Sequence, residues 1–370
     1  MGTDQTEFTE QELLATHDLA EPLVVGAVRC HGGFDEDGAY VSPRTLNRVP
    51  AIRSWQAQHT EQFGTELLGL PIETWPENYP NVAQARYLIE VGAPEPIISD
   101  LTRIGTVEGF GGFIRNSILP DWQKTFVEDV RGTAIAHLGG GLYEAHARDE
   151  AGFEDEGGHK QMWFASRDIA FEDPVTGDMT VQMLERMGIA APGGGGAVDP
   201  AALRATALAN RILPDDIDFD LESLLTRMIR LLFIEISAFH AFAWAEELLS
   251  DTDLVAGDGA AGRLVSYIRS DETPHVEYLR TVLSEMRDRT VLGQSGRRYA
   301  GRDVIDPIWD RALEVSLGIG RQQGQELAWR EVVHALDGRA DGADVLHRFN
   351  ELGAVTRAED GSWTRVAAAA

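Results

Sequence analysis

A carboxylate and an imidazole stand three residues apart at two distant points of the chain, in Asp155-Glu156-Gly157-Gly158-His159 and in Asp271-Glu272-Thr273-Pro274-His275. On a helix, residues i and i+3 project from nearly the same face, so each Glu-x-x-His can offer one oxygen and one nitrogen to a single ion. Two such pairs on facing helices, each joined by a Glu from a further helix, make the ligand set of a dinuclear carboxylate centre inside a four-helix bundle.

The chain must then supply the other carboxylates. In the run Leu221 to Leu249, Leu221, Leu224, Met228, Leu232, Phe239 and Phe242 recur at helical period, and Glu235 falls at the centre of that apolar stripe. An ionised carboxylate there costs several kcal/mol or more unless something compensates its charge, and a metal ion is one compensator. Glu272 meets the same test among Val265, Ile268, Val276, Leu279, Leu283 and Met286. Glu156 meets it less cleanly, because Asp149 and Gly152 share its face with Leu142, Phe153 and Trp163. Protonation, or pairing with Arg227 or Arg230, is the alternative for any one of these glutamates taken alone. For the first helix, Glu128 lies roughly as far before Gly139-Gly140-Gly141 as Glu156 lies after it, which suits a hairpin turning at the glycines. Glu108 competes, with Ile97, Leu101 and Ile104 on its face, and Glu144 is a third candidate if the turn falls near Gly152.

Taken together, Glu128, Glu156-x-x-His159, Glu235 and Glu272-x-x-His275 resemble the ligand series of the ferritin-like di-iron carboxylate superfamily over roughly residues 95 to 290. The resemblance implies an all-α, ferritin-like four-helix bundle holding two iron ions, or manganese, on Glu128, Glu156, His159, Glu235, Glu272 and His275. It also implies that Asp155 and Asp271 stand behind the ligands and accept the other ring N–H of a histidine. Gly157-Gly158 and Thr273-Pro274 depart from the usual helix-forming residues between Glu and His. Glycine costs about 1 kcal/mol and proline about 3 kcal/mol inside a helix, so both ligand helices are expected to kink or bulge at the metal. Alternatively, Ser270 caps a new helix with Pro274 in its first turn.

The elements around the motifs divide the chain into an N-terminal extension (1–94), the metal-binding bundle (95–290) and a C-terminal helical appendage with a hairpin (291–370). Val24, Val25 and Val28 suggest a strand in the extension, and helical patterns begin near Val49 and recur at Val82 to Val91 and Pro94 to Arg115. The second bundle helix is expected to end near Pro174. A long crossover then runs to about residue 215, through a small helix at Val181 to Met187 and the flexible Pro192-Gly193-Gly194-Gly195-Gly196. Beyond Arg289, helices are expected over Asp306 to Leu336 and Ala343 to Leu352, with a hairpin around Asp360-Gly361.

With 32 Lys+Arg against 60 Asp+Glu the chain carries a net charge of −28. That disfavours nucleic acid and anionic membranes as partners, since both select basic surfaces. No transmembrane span and no secretory signal are expected, Cys30 is the single cysteine, and the cytoplasm is the expected compartment. The expected partners are a small-molecule substrate, O2 and an electron-donor protein, with the appendage as a structural or homodimerisation element.

The chemistry expected of such a centre is that of an oxidoreductase, an oxygenase or oxidase that activates O2 to oxidise a small apolar or aromatic substrate. Phe233, Phe239, Phe242, Trp244 and Trp163 could wall its cavity or could simply be bundle core. His240, about 140° from Glu235, suits an interhelical hydrogen bond better than a ligand role. Two other classes stay open: an iron-storage or iron-handling protein, and a metal-free helical interaction module in which the Glu and His residues satisfy one another.

Overall fold

A computed structural model describes residues 5–171, 175–187, 189, 200–357 and 363–365. The Pro192–Gly196 run and the Asp360-Gly361 turn lie outside the described residues. A short helix α1 (Glu10–Leu13) precedes a three-stranded antiparallel sheet, β1 (Glu21–Val25), β2 (Val28–Phe34) and β3 (Tyr40–Val41), so the valine pattern marks a hairpin. Then follow α2 (Arg48–Phe63), α3 (Val82–Glu90), α4 (Glu95–Gly111), α5 (Trp122–Thr125), α6 (Ala134–His137), α7 (Tyr143–Ala151) and α8 (His159–Ala170). Helices α9 (Gly177–Arg186) and α10 (Pro200–Ala209) lead to the two longest, α11 (Phe219–Leu249) and α12 (Ala260–Arg287). After the hairpin β4 (Thr290–Leu292) and β5 (Arg298–Ala300) come α13 (Gly301–Val315), α14 (Arg321–Leu336) and α15 (Gly342–Glu351). Strands β6 (Val355–Arg357) and β7 (Trp363–Arg365) pair antiparallel, as the expected hairpin requires. The protein is predominantly helical.

Helix α11 lies along α12, α12 along α8, and α8 along α4, while α7 packs on α4. Asp218 starts α11 by accepting from the amides of Asp220 and Leu221, and the acids of its first turn oppose the positive end of the helix dipole. An 18-residue window of α11 reaches a mean hydropathy of 1.4, so length and composition alone would let it cross a bilayer. Here its apolar residues feed two separate cores. Leu221 to Ile236 of α11 and Val276 to Met286 of α12 belong to one, with Val304, Ile305 and Ile308 of α13. Ala238 to Leu249 of α11 and Ala261 to Ile268 of α12 belong to the other, with Leu101 of α4 and Trp163 of α8. Between the two cores, α11 contributes Glu235 and α12 contributes Asp271, Glu272 and His275, all buried. A polar layer therefore cuts across the apolar interior.

Several local expectations are corrected. Helix α12 runs unbroken through Pro274, and the Ser270 hydroxyl donates to the Ser266 carbonyl at 2.9 Å instead of capping a new helix. Gly139-Gly140-Gly141 does not turn a hairpin; it forms an irregular helical segment leading into α7, in which Gly141 at φ 135° packs against Leu13 of α1. Residues 126–133 are not helical, so Glu128 has no helix from which to face Glu156.

One buried carboxylate outside that layer links stability to pH. Glu285 of α12 accepts the amides of Ala134 and Ile135, at 3.1 and 3.0 Å, at the start of α6. Burial raises it from 4.5 to about 7, against the opposing charge of Arg289. A raised carboxyl contributes stability that is fully present below its unfolded value and lost as pH rises through the folded one. The rise amounts to roughly 3 kcal/mol at most. Glu285→Gln, which keeps an acceptor oxygen without the charge, is expected to flatten the fall in urea-denaturation stability between pH 5 and pH 8. An unchanged pH slope would remove Glu285 as its source.

Candidate metal centre

Seven buried side chains converge in the polar layer: Glu108 of α4, His146 and Glu150 of α7, His159 of α8, Glu235 of α11, and Glu272 and His275 of α12. They form two groups, His146–Glu150–Glu235–His275 and Glu108–Glu150–His159–Glu272, each with one donor atom per residue within 4.8 Å of the others. Glu150 belongs to both. Glu272 also touches both sides, with its carboxylate 2.9 Å from His159 Nδ1 and 2.8 Å from His275 Nδ1.

The backbone around α7 and α8 explains how these residues meet. Helix α7 ends at Gly152 (φ 81°), the chain passes through Glu154 (φ 54°), and Phe153 and Glu156 exchange backbone hydrogen bonds at 3.0 Å in a tight loop. Strand β2 clips this loop: the Gly157 amide donates to the Arg29 carbonyl and the His31 amide to the Gly157 carbonyl, both at 2.8 Å. A Cβ on Gly158 would stand 2.5 Å from the Asp149 carbonyl oxygen, so only glycine lets the start of α8 cross this close to the end of α7. His159 is thereby brought within 3.3 Å of Glu150. Gly111 of α4 acts similarly, since a Cβ there would meet the Glu150 side chain.

The residues behind the ring are crossed. Asp149, which precedes Glu150, lies 2.9 Å from Nε2 of His275, and Asp271, which precedes Glu272, lies 3.5 Å from Nε2 of His159. With Nε2 turned to an aspartate, each ring points Nδ1 at the carboxylates. His146 is oriented the other way. Its Nδ1 is 3.2 Å from the Tyr278 hydroxyl and its Nε2 is 3.5 Å from Glu235, with the ring stacked on His275 at 4.0 Å. The N-terminal segment closes the layer from outside. Arg44 and Arg48 bind Asp149 at 2.7 and 2.8 Å, and the Tyr40 hydroxyl donates to Asp271 at 2.9 Å. Arg44 also approaches His31 Nδ1 at 3.3 Å, which makes that nitrogen the acceptor and leaves Nε2–H to donate to Asp271 at 3.0 Å.

Burial and the neighbouring Glu150 push Glu108 well above the carboxylate range, and burial and Glu272 do the same to Glu235. Burial opposes charging His159 and His275, but nearby carboxylates outweigh it, Glu150 and Glu272 for His159 and Glu272 and Asp149 for His275, and hold both imidazoles above their ordinary range. Without a cation, protons are the compensating charge. That compensation leaves Glu108 Oε2, His146 Nε2, Glu150 Oε1, His159 Nδ1 and Glu272 Oε1 buried without a well-formed hydrogen bond, although Glu150 and Glu272 stand within 3.3 Å of His159 Nδ1. Orphaned atoms of this kind, all metal-donor types and all aimed into one small volume, fit a cation that accepts their lone pairs. Four carboxylates against two divalent cations also close to zero charge.

Of the six ligands expected from sequence, the structure brings together His159, Glu235, Glu272 and His275, and it places Glu128 and Glu156 elsewhere. Glu128 accepts from the amide and hydroxyl of Thr290, at 2.7 and 2.9 Å, and so fastens β4. Glu156 lies on the loop, one-third exposed, 3.3 Å from Arg29 and 4.0 Å from Arg44. Glu108, the competing first-helix candidate, is in the cluster, and Glu144 instead binds Arg148 at 2.7 Å. Asp155 is on the same loop, and Asp149 occupies the place expected of it. His146 and Glu150 were not singled out by pattern. A usable signal existed, because Asp149-Glu150 repeats the dipeptide of Asp271-Glu272, with His146 one turn earlier on the same face. His240 makes an interelement hydrogen bond, to the Ile72 carbonyl at 2.9 Å. Trp163 packs on Phe242 at 4.9 Å, and Phe233 on Trp309 at 4.7 Å, so these rings fill core. No family model matches this chain, and no curated protein and no solved structure matches it.

Proposed function

We propose that this chain is a dinuclear non-haem metalloenzyme, an oxidoreductase that activates O2 to oxidise a small organic molecule, on a helical bundle of ferritin-like type. The observation that carries the reading is the pair of donor groups sharing Glu150, since one group alone would argue for a single ion. Oxygen and imidazole donors suit both iron and manganese, and iron is the metal of the reading. A ferrous pair, when bound, supplies electrons for the reduction of O2.

The chain's own residues do the rest. Glu108 and Glu235 sit at opposite ends of the cluster, Glu150 and Glu272 lie between its histidines, Asp149 and Tyr278 orient His275 and His146, and Asp271 faces Nε2 of His159 at 3.5 Å. Every one of the seven donor residues is at most 8% exposed, which keeps bulk water from the reacting atoms. A cluster this enclosed, backed by the buried pairing of Arg44 and Arg48 with Asp149, suits chemistry on a sequestered oxidant better than the continual passage of iron.

The test is O2 consumption by anaerobically Fe(II)-loaded protein across a panel of apolar and aromatic compounds, with isotopically labelled O2. Uptake that rises with one class of compound, together with label or unsaturation in its product, is the expected result. Mineral iron deposition with indifference to every organic compound would favour the iron-handling reading, and failure to hold metal would favour a metal-free module.

A further inference from the structure

A second site lies away from the metal layer. A cleft of about 1150 Å³ opens between α10, the N-terminal third of α11, the end of α13 and the segment that follows α4. In a chain of net charge −28, five arginines line it against two acids, Asp220 and Glu222. Three of the five are committed: Arg204 binds Asp220 at 2.6 Å, Arg211 binds Glu222 at 2.8 Å, and Arg311 binds Glu314 at 2.8 Å. Arg227 and Arg230, both exposed on α11, have no ion pair among the described residues. They are cations without an acid among the described residues, in a chain where acids outnumber bases almost two to one.

The rest of the cleft is apolar and open to solvent. Phe113 is 67% and Ile118 88% exposed at its rim, Ile212 is 43% exposed, and Ile308 and Ala312 form the buried side. Large apolar side chains exposed together around a concavity mark a binding surface. Guanidinium forks match carboxylate and phosphate oxygens two by two, and apolar walls beside them require a ligand that is charged at one end only.

From this arrangement we infer that the cleft binds a single-chain anionic amphiphile, a carboxylate or phosphate monoester on an apolar body, with its head on Arg227 and Arg230 and its body against Phe113, Ile118 and Ile308. The cleft has ample room for such a molecule. Arg227 precedes Glu235 by eight residues on α11, roughly 12 Å of helix rise. The site needs no metal, so its success or failure is independent of the function proposed above.

The test titrates metal-free full-length protein by calorimetry with decanoate and decyl phosphate, and with decanol and decyltrimethylammonium, below their micelle concentrations. Both anions are expected to bind roughly tenfold or more tightly than the alcohol, and the cation not at all. The double variant Arg227→Gln, Arg230→Gln should lose that tenfold for the anions and leave decanol unchanged, and Ile118→Ser with Phe113→Ser should weaken all chain-bearing ligands alike. Equal affinity for decanol and decanoate, full affinity in the arginine variant, or inorganic phosphate binding as tightly as decyl phosphate would each overturn the inference.

Discussion

Anaerobic reconstitution with Fe(II) is expected to place about two ions in each chain, and Glu150→Gln to remove both, while Glu156→Gln leaves both in place. Glu150 is the residue common to the two donor groups, 3.3 Å from Nδ1 of His159 and 3.3 Å from Nδ1 of His275. An amide there cannot neutralise a cation, and only one of its two heteroatoms has a lone pair to offer a metal. Glu156 precedes His159 by the same three residues that separate Glu272 from His275, yet it points to Arg29 on the surface. Metal analysis after gel filtration therefore separates sequence spacing from spatial convergence. Loss of metal in the Glu156 variant with retention in the Glu150 variant would mean that the loop rearranges on loading and that the crossed geometry is wrong. Glu235→Gln and Glu108→Gln should be milder, each weakening the ion at its own end.

The residues legible in the sequence are those that sit in long, uninterrupted helices. Glu235 and Glu272 stand in apolar stripes whose period is plain over about six turns, and a buried carboxylate in such a stripe demands a reason. His275 follows from Glu272 because nothing breaks α12 between them. The cluster's first two elements were opaque for the opposite cause. Helix α7 is nine residues long and mostly polar, so His146, Asp149 and Glu150 look like a solvated helix, although all three are buried. Their compensation comes from Arg44, Arg48 and α12, which are distant in sequence and invisible to periodicity. The Asp-Glu-x-x-His at 155–159 was a decoy: two positive φ angles and the contact with β2 take it out of helix, and the same loop delivers His159 to a Glu nine residues upstream. Gly158 read as a helix weakener, whereas its role is the close crossing of two chain segments. Glu128 failed for a related reason, since its pairing with Glu156 presumed a hairpin at glycines that instead continue as an irregular helix.

Asp149→Ala is expected to be the most destabilising single change near the centre. Asp149 is fully buried and receives Arg44 at 2.7 Å, Arg48 at 2.8 Å and Nε2 of His275 at 2.9 Å, which ties the N-terminal segment to α7 and α12 through one carboxylate. Removing it leaves Arg48 buried without an acid and Arg44 with only Glu156 at 4.0 Å, a loss of about 3 to 5 kcal/mol. Burial would raise this carboxyl, but the charges of Arg44 and Arg48 outweigh it and hold it well below the ordinary range. A depressed carboxyl contributes stability that is fully present above its unfolded value, near 4, and is lost as pH falls through the folded value. The gap between wild type and Asp149→Ala in urea denaturation should therefore be widest near neutrality and narrow on acidification below pH 4. Asp149→Asn keeps the size and one acceptor, so it should recover part of the stability. It still cannot hold the Nε2 proton of His275 as a carboxylate does, and its metal affinity should remain about 10 to 100-fold weaker. Wild-type stability in the alanine variant would show that Arg44 and Arg48 find other partners, and wild-type metal affinity in the asparagine variant would show that His275 is oriented by packing against His146 and not by its aspartate.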